Sequence, residues 1–282
     1  MRILTFDIED WFHILDNSKS RIEKDWLKFE SRIERNMDLI FKIIEKSNVN
    51  PTFFVLGWIA ERHPKIIKKI SDLGFEVGSH TNLHQLVYEQ DRKTFKNDVE
   101  KSIKIIEDIT GRKVISFRAP GFSITKKNIW AFEVLHDLGI ELDSSVFPAG
   151  RAHGGFPSFT NQTPSILDYS GIKLKEFPIN TYSIFGRNII FSGGGYFRLI
   201  PYHLIKRWSK KSNYIMTYFH PRDFDHNQPV VPGLSPLRLF KSYVGLKNSK
   251  FKLEKWLSDF EFISLEKADN MINWDKAPII KL

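Results

Sequence analysis

Strand-like and helix-like patterns alternate along this chain, and five chemistry-bearing residues each stand just past the end of a strand-like run. Ile3 to Phe6 ends at Asp7, Phe75 to Val77 precedes His80, Val114 to Phe117 ends at Arg118, Ile140 to Leu142 at Asp143, and Tyr214 to Phe219 at His220. Further strands are read at Thr52 to Leu56 and Lys173 to Phe177. Between them, Met37, Ile40, Phe41 and Ile44 form a helical stripe, and helices are predicted over Lys65 to Leu73, Lys96 to Ile109 with Gly111 as the stop, Ile129 to Leu138, and Tyr202 to Trp208. In a parallel α/β barrel, the C-terminal ends of the strands share one mouth, where active-site residues gather. The expected fold is therefore α/β and barrel-like, with a doubly wound open sheet as the alternative. No dinucleotide-binding glycine loop supports the open sheet, and Gly193-Gly194-Gly195 is read as a backbone turn. No repeat or linker divides the chain, so residues 1–282 are expected to form one domain with a C-terminal extension. Long surface loops are expected at 150–164 and 225–236.

The chain has no cysteine, which excludes disulfides, zinc ribbons and thiol nucleophiles. Its net charge of +9 favours acidic partners, including anionic lipid headgroups, so peripheral association with a membrane surface is an open expectation. Nucleic acid is not an expected partner: the basic residues are dispersed, and clusters such as Lys65 to Lys69 and Lys206 to Lys211 sit on predicted helices as solvated faces. A carboxylate arrives too early for a signal peptide and no apolar run reaches membrane-spanning length, so a cytoplasmic location is expected.

His80 and His84 are four residues apart, a spacing that puts both imidazoles on one side of a helical turn. A catalytic zinc site takes three protein ligands and keeps one position open, so this pair wants one more donor. The acidic cluster Asp7, Glu9 and Asp10 can supply it, and can also supply a general base. Arg118 is suited to orient that base through an ion pair, and His220 to act as a general acid with Asp143 as its carboxylate partner. A metal, a base, an acid and two orienting groups are the equipment for hydrolysis of an amide or ester.

At these residues the chain resembles the polysaccharide deacetylases, carbohydrate esterases with a NodB-type homology domain. The family's first motif, Thr-Phe-Asp-Asp-Gly, corresponds to Thr5-Phe6-Asp7-Ile8-Glu9-Asp10-Trp11. His80-Thr81-Asn82-Leu83-His84 keeps the second motif intact, Arg118-Ala119-Pro120-Gly121 matches the third, Asp143-Ser144-Ser145 the fourth, and His220 the fifth. Two further stretches, Gly193 to Arg198 and His220 to Asp225, resemble a bacterial subgroup tied to surface-polysaccharide loci.

The resemblance implies a distorted, TIM-barrel-like (β/α) barrel, often of seven strands, that removes acetyl groups from N-acetylated sugars. It implies Asp7 as base, Arg118 as its orienter, His80 and His84 as metal ligands, His220 as acid tuned by Asp143, and the Gly121 N–H as a donor to the oxyanion. One divalent ion is implied, Zn2+ first, with Co2+ or Ni2+ as substitutes. The first motif carries an inserted residue, which leaves Glu9 or Asp10 as third ligand. Glu9 is favoured, since residues i and i+2 point the same way on extended backbone. Gly121 stands where many relatives have tyrosine, and the fourth motif lacks the usual tryptophan, so Trp11 and Tyr196 become candidates for sugar stacking as well as for packing. The expected substrate is a glycan of the bacterial surface or its biosynthetic precursor. Hydrolysis of a small amide such as allantoin, and glycan binding without turnover, are the rival readings.

Overall fold

The computed structural model describes residues 1–282 except 16, 18, 19, 21, 151, 152, 185 and 186, and the side chains of 184 and 187. The strands are β1 (Arg2–Ile3), β2 (Thr5–Ile8), β3 (Thr52–Val55), β4 (Glu76–Ser79), β5 (Ser116–Phe117), β6 (Leu142–Asp143), β7 (Ser165–Tyr169), β8 (Ile172–Glu176), β9 (Tyr182–Ile184), β10 (Arg187–Ile189), β11 (Ile215–Met216) and β12 (Ile279–Lys281). The main sheet runs β12-β7-β8-β6-β5-β4-β3-β2. It is parallel from β2 to β8; β7 forms an antiparallel hairpin with β8. On the other side of the first strand line, β1 pairs in parallel with β11, and Phe6 bridges Phe219. Parallel segments therefore follow one another as β11, β1–β2, β3, β4, β5, β6 and β8.

The two ends of this array approach each other. Met216 N–H donates to Asn180 Oδ1 at 3.0 Å, and Tyr214 Oη to the Pro178 carbonyl at 2.9 Å. Among the described residues these side-chain bonds, and no backbone ladder, span the gap. The α/β class and parallel order agree with the expectation; the strands are shorter than their apolar runs.

Two apolar clusters explain why the strands are hydrophobic on both faces. One holds Phe6, Phe53, Val55 and Phe117 with the helical residues Met37, Ile40, Ile67, Val99 and Leu135. The other gathers Ile3, Phe54, Leu142, Phe177 and Met216 from strands all along the array. The helices Ile33–Ser47 and Arg92–Thr110 contain the predicted stripes and run beyond them at both ends. Asp91 caps the second, accepting the Thr94 N–H, and Gly111 closes it in the left-handed region, as expected.

The expected turn at Gly193 to Gly195 is instead a bridge followed by the short helix Gly194–Leu199. Gly193 pairs with Tyr218 so closely that a Cβ there would lie 2.2 Å from the Tyr218 carbonyl oxygen. Glycine is needed at that position for close approach.

Register positions the site. Ile8 pairs with Val55, Val55 with Ser79, Ser79 with Phe117, Phe117 with Asp143, and Asp143 with Glu176. One residue further along, Glu9, His80 and Arg118 therefore come level at the C-terminal ends of β2, β4 and β5, with β3 between the first two.

Candidate active site

Glu9, His80 and His84, all buried, offer one donor atom each within 4.8 Å of one another; so do Asp7, Glu9 and His220. Glu9 Oε1 lies 3.2 Å from His80 Nε2, 3.0 Å from His84 Nε2 and 3.7 Å from His220 Nε2. His220 Nε2 is also 3.9 Å from Asp7 Oδ2.

The two metal-motif histidines do not share a helical turn. They lie on a loop after β4 in which Thr81 (φ 69°) and His84 (φ 53°) adopt the left-handed region, and this reversal brings His84 back over His80. The Thr81 Oγ1 hydroxyl accepts the His84 N–H at 3.2 Å. Asp98, on the helix Arg92–Thr110, accepts the N–H groups of Asn82 at 2.8 Å and Leu83 at 3.1 Å. Burial pushes that carboxyl up to about 6 against the pull of those two bonds. Sequence reading missed Asp98, because nothing in a lone aspartate on a helix face marks a loop anchor.

The donor chemistry fits a divalent cation. His80 Nδ1 sits 2.7 Å from the Arg118 carbonyl oxygen, which can only accept, so Nδ1 carries the proton. With the proton on Nδ1, Nε2 is the ring atom left to ligate, and it faces the Glu9 carboxylate at 3.2 Å, an arrangement that a cation between the two would satisfy. His84 Nε2 is buried and has no hydrogen-bond partner despite its nearness to Glu9, because the contact lacks hydrogen-bond alignment. A tetrahedral ion with bonds of about 2.0–2.2 Å separates its ligands by roughly 3.4 Å, close to the spacing found here. Burial raises the Glu9 carboxyl, but the imidazoles of His84, His220 and His80 gathered around it outweigh that and hold the group well below the usual carboxylate range. Asp10, the other candidate for third ligand, faces away: it accepts from Ser31 Oγ at 2.5 Å and from the Trp11 and Arg32 N–H groups.

Arg118 is fully buried and satisfied on every side. Its Nη1 donates to Asp7 Oδ1 and Thr5 Oγ1, both at 2.7 Å, and its Nη2 to Ser144 Oγ at 3.0 Å. The Phe54 ring lies beneath the guanidinium, 4.4 Å away at its centroid. Asp7 is thus fixed by one oxygen while the other faces His220.

The expected pairing of Asp143 with His220 is corrected. Asp143 accepts from Ser145 Oγ at 2.6 Å and shares a buried environment with Glu176 across the ladder. Burial and mutual repulsion raise the Glu176 carboxyl well above its ordinary value, and burial raises Asp143 too. The carboxylate that holds His220 is Asp223, three residues on. It accepts from His220 Nδ1 at 3.1 Å and from the His220 N–H at 2.9 Å, and Arg198 Nε approaches its other oxygen at 3.4 Å. Burial disfavours the charged imidazole, but Glu9, Asp223 and Asp7 outweigh it and raise His220 to about 9. Burial likewise raises Asp223, while Arg198 and His220 bring it down to about 2. The signal was present in the sequence: a Pro-initiated turn after His220 places the fourth residue of the turn under the imidazole.

Gly121 follows Arg118 on a short 3-10 turn with φ 61°, in the left-handed region that favours glycine; a Cβ there would sit 2.7 Å from Leu15 Cδ1. Trp11 is buried and belongs to the core, whereas Tyr196 is 48% exposed. A cavity of about 250 Å3, lined by His13, Trp26, Leu86 and His84, adjoins the donor cluster.

Residues 18–142 match the family model of the polysaccharide deacetylases, and residues 144–270 match a domain family of unknown function, DUF3473. The junction falls at Asp143, inside the parallel sheet, and the site draws residues from both sides of it. A peptidoglycan-N-acetylglucosamine deacetylase of Bacillus cereus is 32% identical over 96 residues, 33% of this chain and 35% of that protein. The chain thus spans about a third of the length of that curated relative, and less of some others. A candidate polysaccharide deacetylase from Mycobacterium smegmatis superposes with a TM-score of 0.67 at 17% identity, covering 99% of this chain and 92% of that one. A peptidoglycan N-acetylglucosamine deacetylase bound to a hydroxamate-type benzamide gives a TM-score of 0.50 at 15% identity over 94% of this chain and 86% of its own, which supports the fold alone. Over residues 18–142 this chain thus matches the polysaccharide deacetylases, the family that its five motifs resemble.

Proposed function

We propose that this protein is a metal-dependent de-N-acetylase, its sheet curled into a distorted, incompletely closed barrel, acting on an N-acetylated sugar of a bacterial surface polysaccharide or of its precursor. The observation that carries the reading is the meeting of Glu9, His80 and His84 donors with Asp7 and His220 at the C-terminal strand ends. Zn2+ suits one carboxylate and two imidazoles, and Co2+ or Ni2+ can take the same set. When bound, the ion supplies Lewis acidity toward the acyl oxygen and the attacking water.

The chain's own groups do the rest. Asp7 Oδ2 takes the proton of the attacking water, while Arg118 keeps the carboxylate aimed. The Gly121 N–H is the proposed donor to the developing oxyanion. His220, its Nδ1 held by Asp223, delivers a proton from Nε2 to the departing amine, and acetate leaves. Zinc-loaded protein is expected to release acetate from N-acetylglucosamine oligomers and to leave allantoin intact. Measured by coupled acetate detection, allantoin turnover with inert sugars would reverse the reading.

A further inference from the structure

No helix among the described residues is long and apolar enough to cross a membrane, yet one short helix is built inside out. In Pro236–Tyr243 the buried residue is Ser242, while Leu237, Leu239 and Phe240 face solvent. The helix is tied to its neighbours through their backbones. Arg198 Nη1 donates to the Ser242 carbonyl at 2.7 Å and Nη2 to the Lys241 carbonyl at 3.1 Å. Lys252 Nζ in turn donates to the Phe197, Arg198 and Ile200 carbonyls. The helices Gly194–Leu199 and Leu246–Asp259, joined in this way, expose large apolar side chains of their own. Tyr196, Leu199, Leu237, Phe240 and Phe251 are between 48% and 66% exposed. Large apolar groups held outward on a backbone-anchored scaffold mark a surface meant to be covered.

Charge identifies what covers it. From Asn227 to Leu253 the chain contains Arg238, Lys241, Lys247, Lys250 and Lys252 and no aspartate or glutamate. Lys241, Lys247 and Lys250 are exposed beside the apolar groups. The acidic residues of the adjoining helices are already engaged: Asp223 with Arg198, Glu254 with Lys46, Asp259 with Lys206. An amphipathic face of leucine and phenylalanine flanked by unopposed lysines matches the apolar boundary and negative potential of an anionic bilayer. An apolar protein partner would match the first property alone.

We infer that this three-helix face docks on an anionic lipid surface. The same Arg198 that anchors the helix lies against Asp223, the partner of His220, so the docked face and the proposed acid share one scaffold. Delivery of a membrane-borne glycan to the site rests on the proposed function; docking itself does not.

The test is co-sedimentation of the full chain with vesicles of phosphatidylcholine alone and with added phosphatidylglycerol, at low and high salt. Binding is expected to be at least tenfold stronger to the anionic vesicles and to weaken with salt. The pair Leu237→Asp and Phe240→Asp should reduce it by about tenfold or more, and Lys241→Glu with Lys247→Glu should do the same, each with unchanged circular dichroism. Failure of the wild type to bind anionic vesicles would overturn the inference. So would equal binding by the variants, or a wild-type dimer in gel filtration that the Leu237/Phe240 variant converts to monomer, since that result assigns the face to a second copy. None of these readouts depends on deacetylation.

Discussion

Asp7→Asn is expected to lower the rate of amide cleavage by about a hundredfold to ten-thousandfold, the usual worth of a positioned general base, and to leave the metal in place. Asparagine is nearly the same shape, and its carbonyl oxygen still accepts the Arg118 Nη1 bond that Asp7 Oδ1 receives at 2.7 Å. It cannot take a proton from water. The proposed metal donors are Glu9, His80 and His84, so metal content should stay at that of the wild type. Some stability is lost, because Arg118 is fully buried and would keep its charge without Asp7 opposite. Stripping one member from a buried pair costs about 3–5 kcal/mol, and the retained hydrogen bond should hold the loss below that. Steady-state kinetics, zinc analysis and urea unfolding on the same preparation separate these effects. A variant within a few-fold of wild type would remove Asp7 from the proton transfer.

Asp223→Asn should shift the alkaline limit of activity toward lower pH. An acid works only while it holds its proton, so the rate falls as pH rises through the pKa of His220, raised here to about 9. Burial opposes that rise; Glu9, Asp223 and Asp7 produce it. A cation on Glu9 takes up the Glu9 share in both proteins, so the displacement between the two profiles reports Asp223. An adjacent opposite charge typically shifts a pKa by about 1–3 units, and the descending limb should move by that order. Stability changes with its own sign. Asp223 is depressed to about 2 from 3.8, so its contribution is present above the unfolded value and lost as pH falls through about 2. That contribution is on the order of 2–3 kcal/mol near neutral pH and is absent in the variant. Superimposable pH–rate profiles would show that Asp223 does not set the proton affinity of the acid.

The strand-end rule carried most of the site. Asp7, His80, Arg118 and His220 converge because parallel strands in matched register place residues just past their ends side by side, and apolar runs ending in a polar residue are visible without a structure. Glu9 was preferred over Asp10 by the alternation of extended backbone, and the structure turns Asp10 to Ser31 and the Arg32 N–H. Contacts set by chain reversals were not legible. The His80–His84 loop uses left-handed Thr81 and His84, which neither residue type signals, and the helical reading of that spacing fails there. Asp143 is the carboxylate that the sequence offers at a strand end as a partner for His220, while the one that holds the imidazole, Asp223, lies three residues away in a turn. The approach of the two ends of the array is not legible in the sequence either, since it depends on Asn180 and Tyr214 side chains bonding across a gap rather than on a periodic pattern.

The most direct test of the account is acetate release from N-acetylglucosamine oligomers as zinc is returned to chelated protein. No release is expected without metal, with recovery that saturates at about one ion per chain and loss of both in His84→Ala. Full turnover by the metal-free protein, or none with zinc bound, would contradict it.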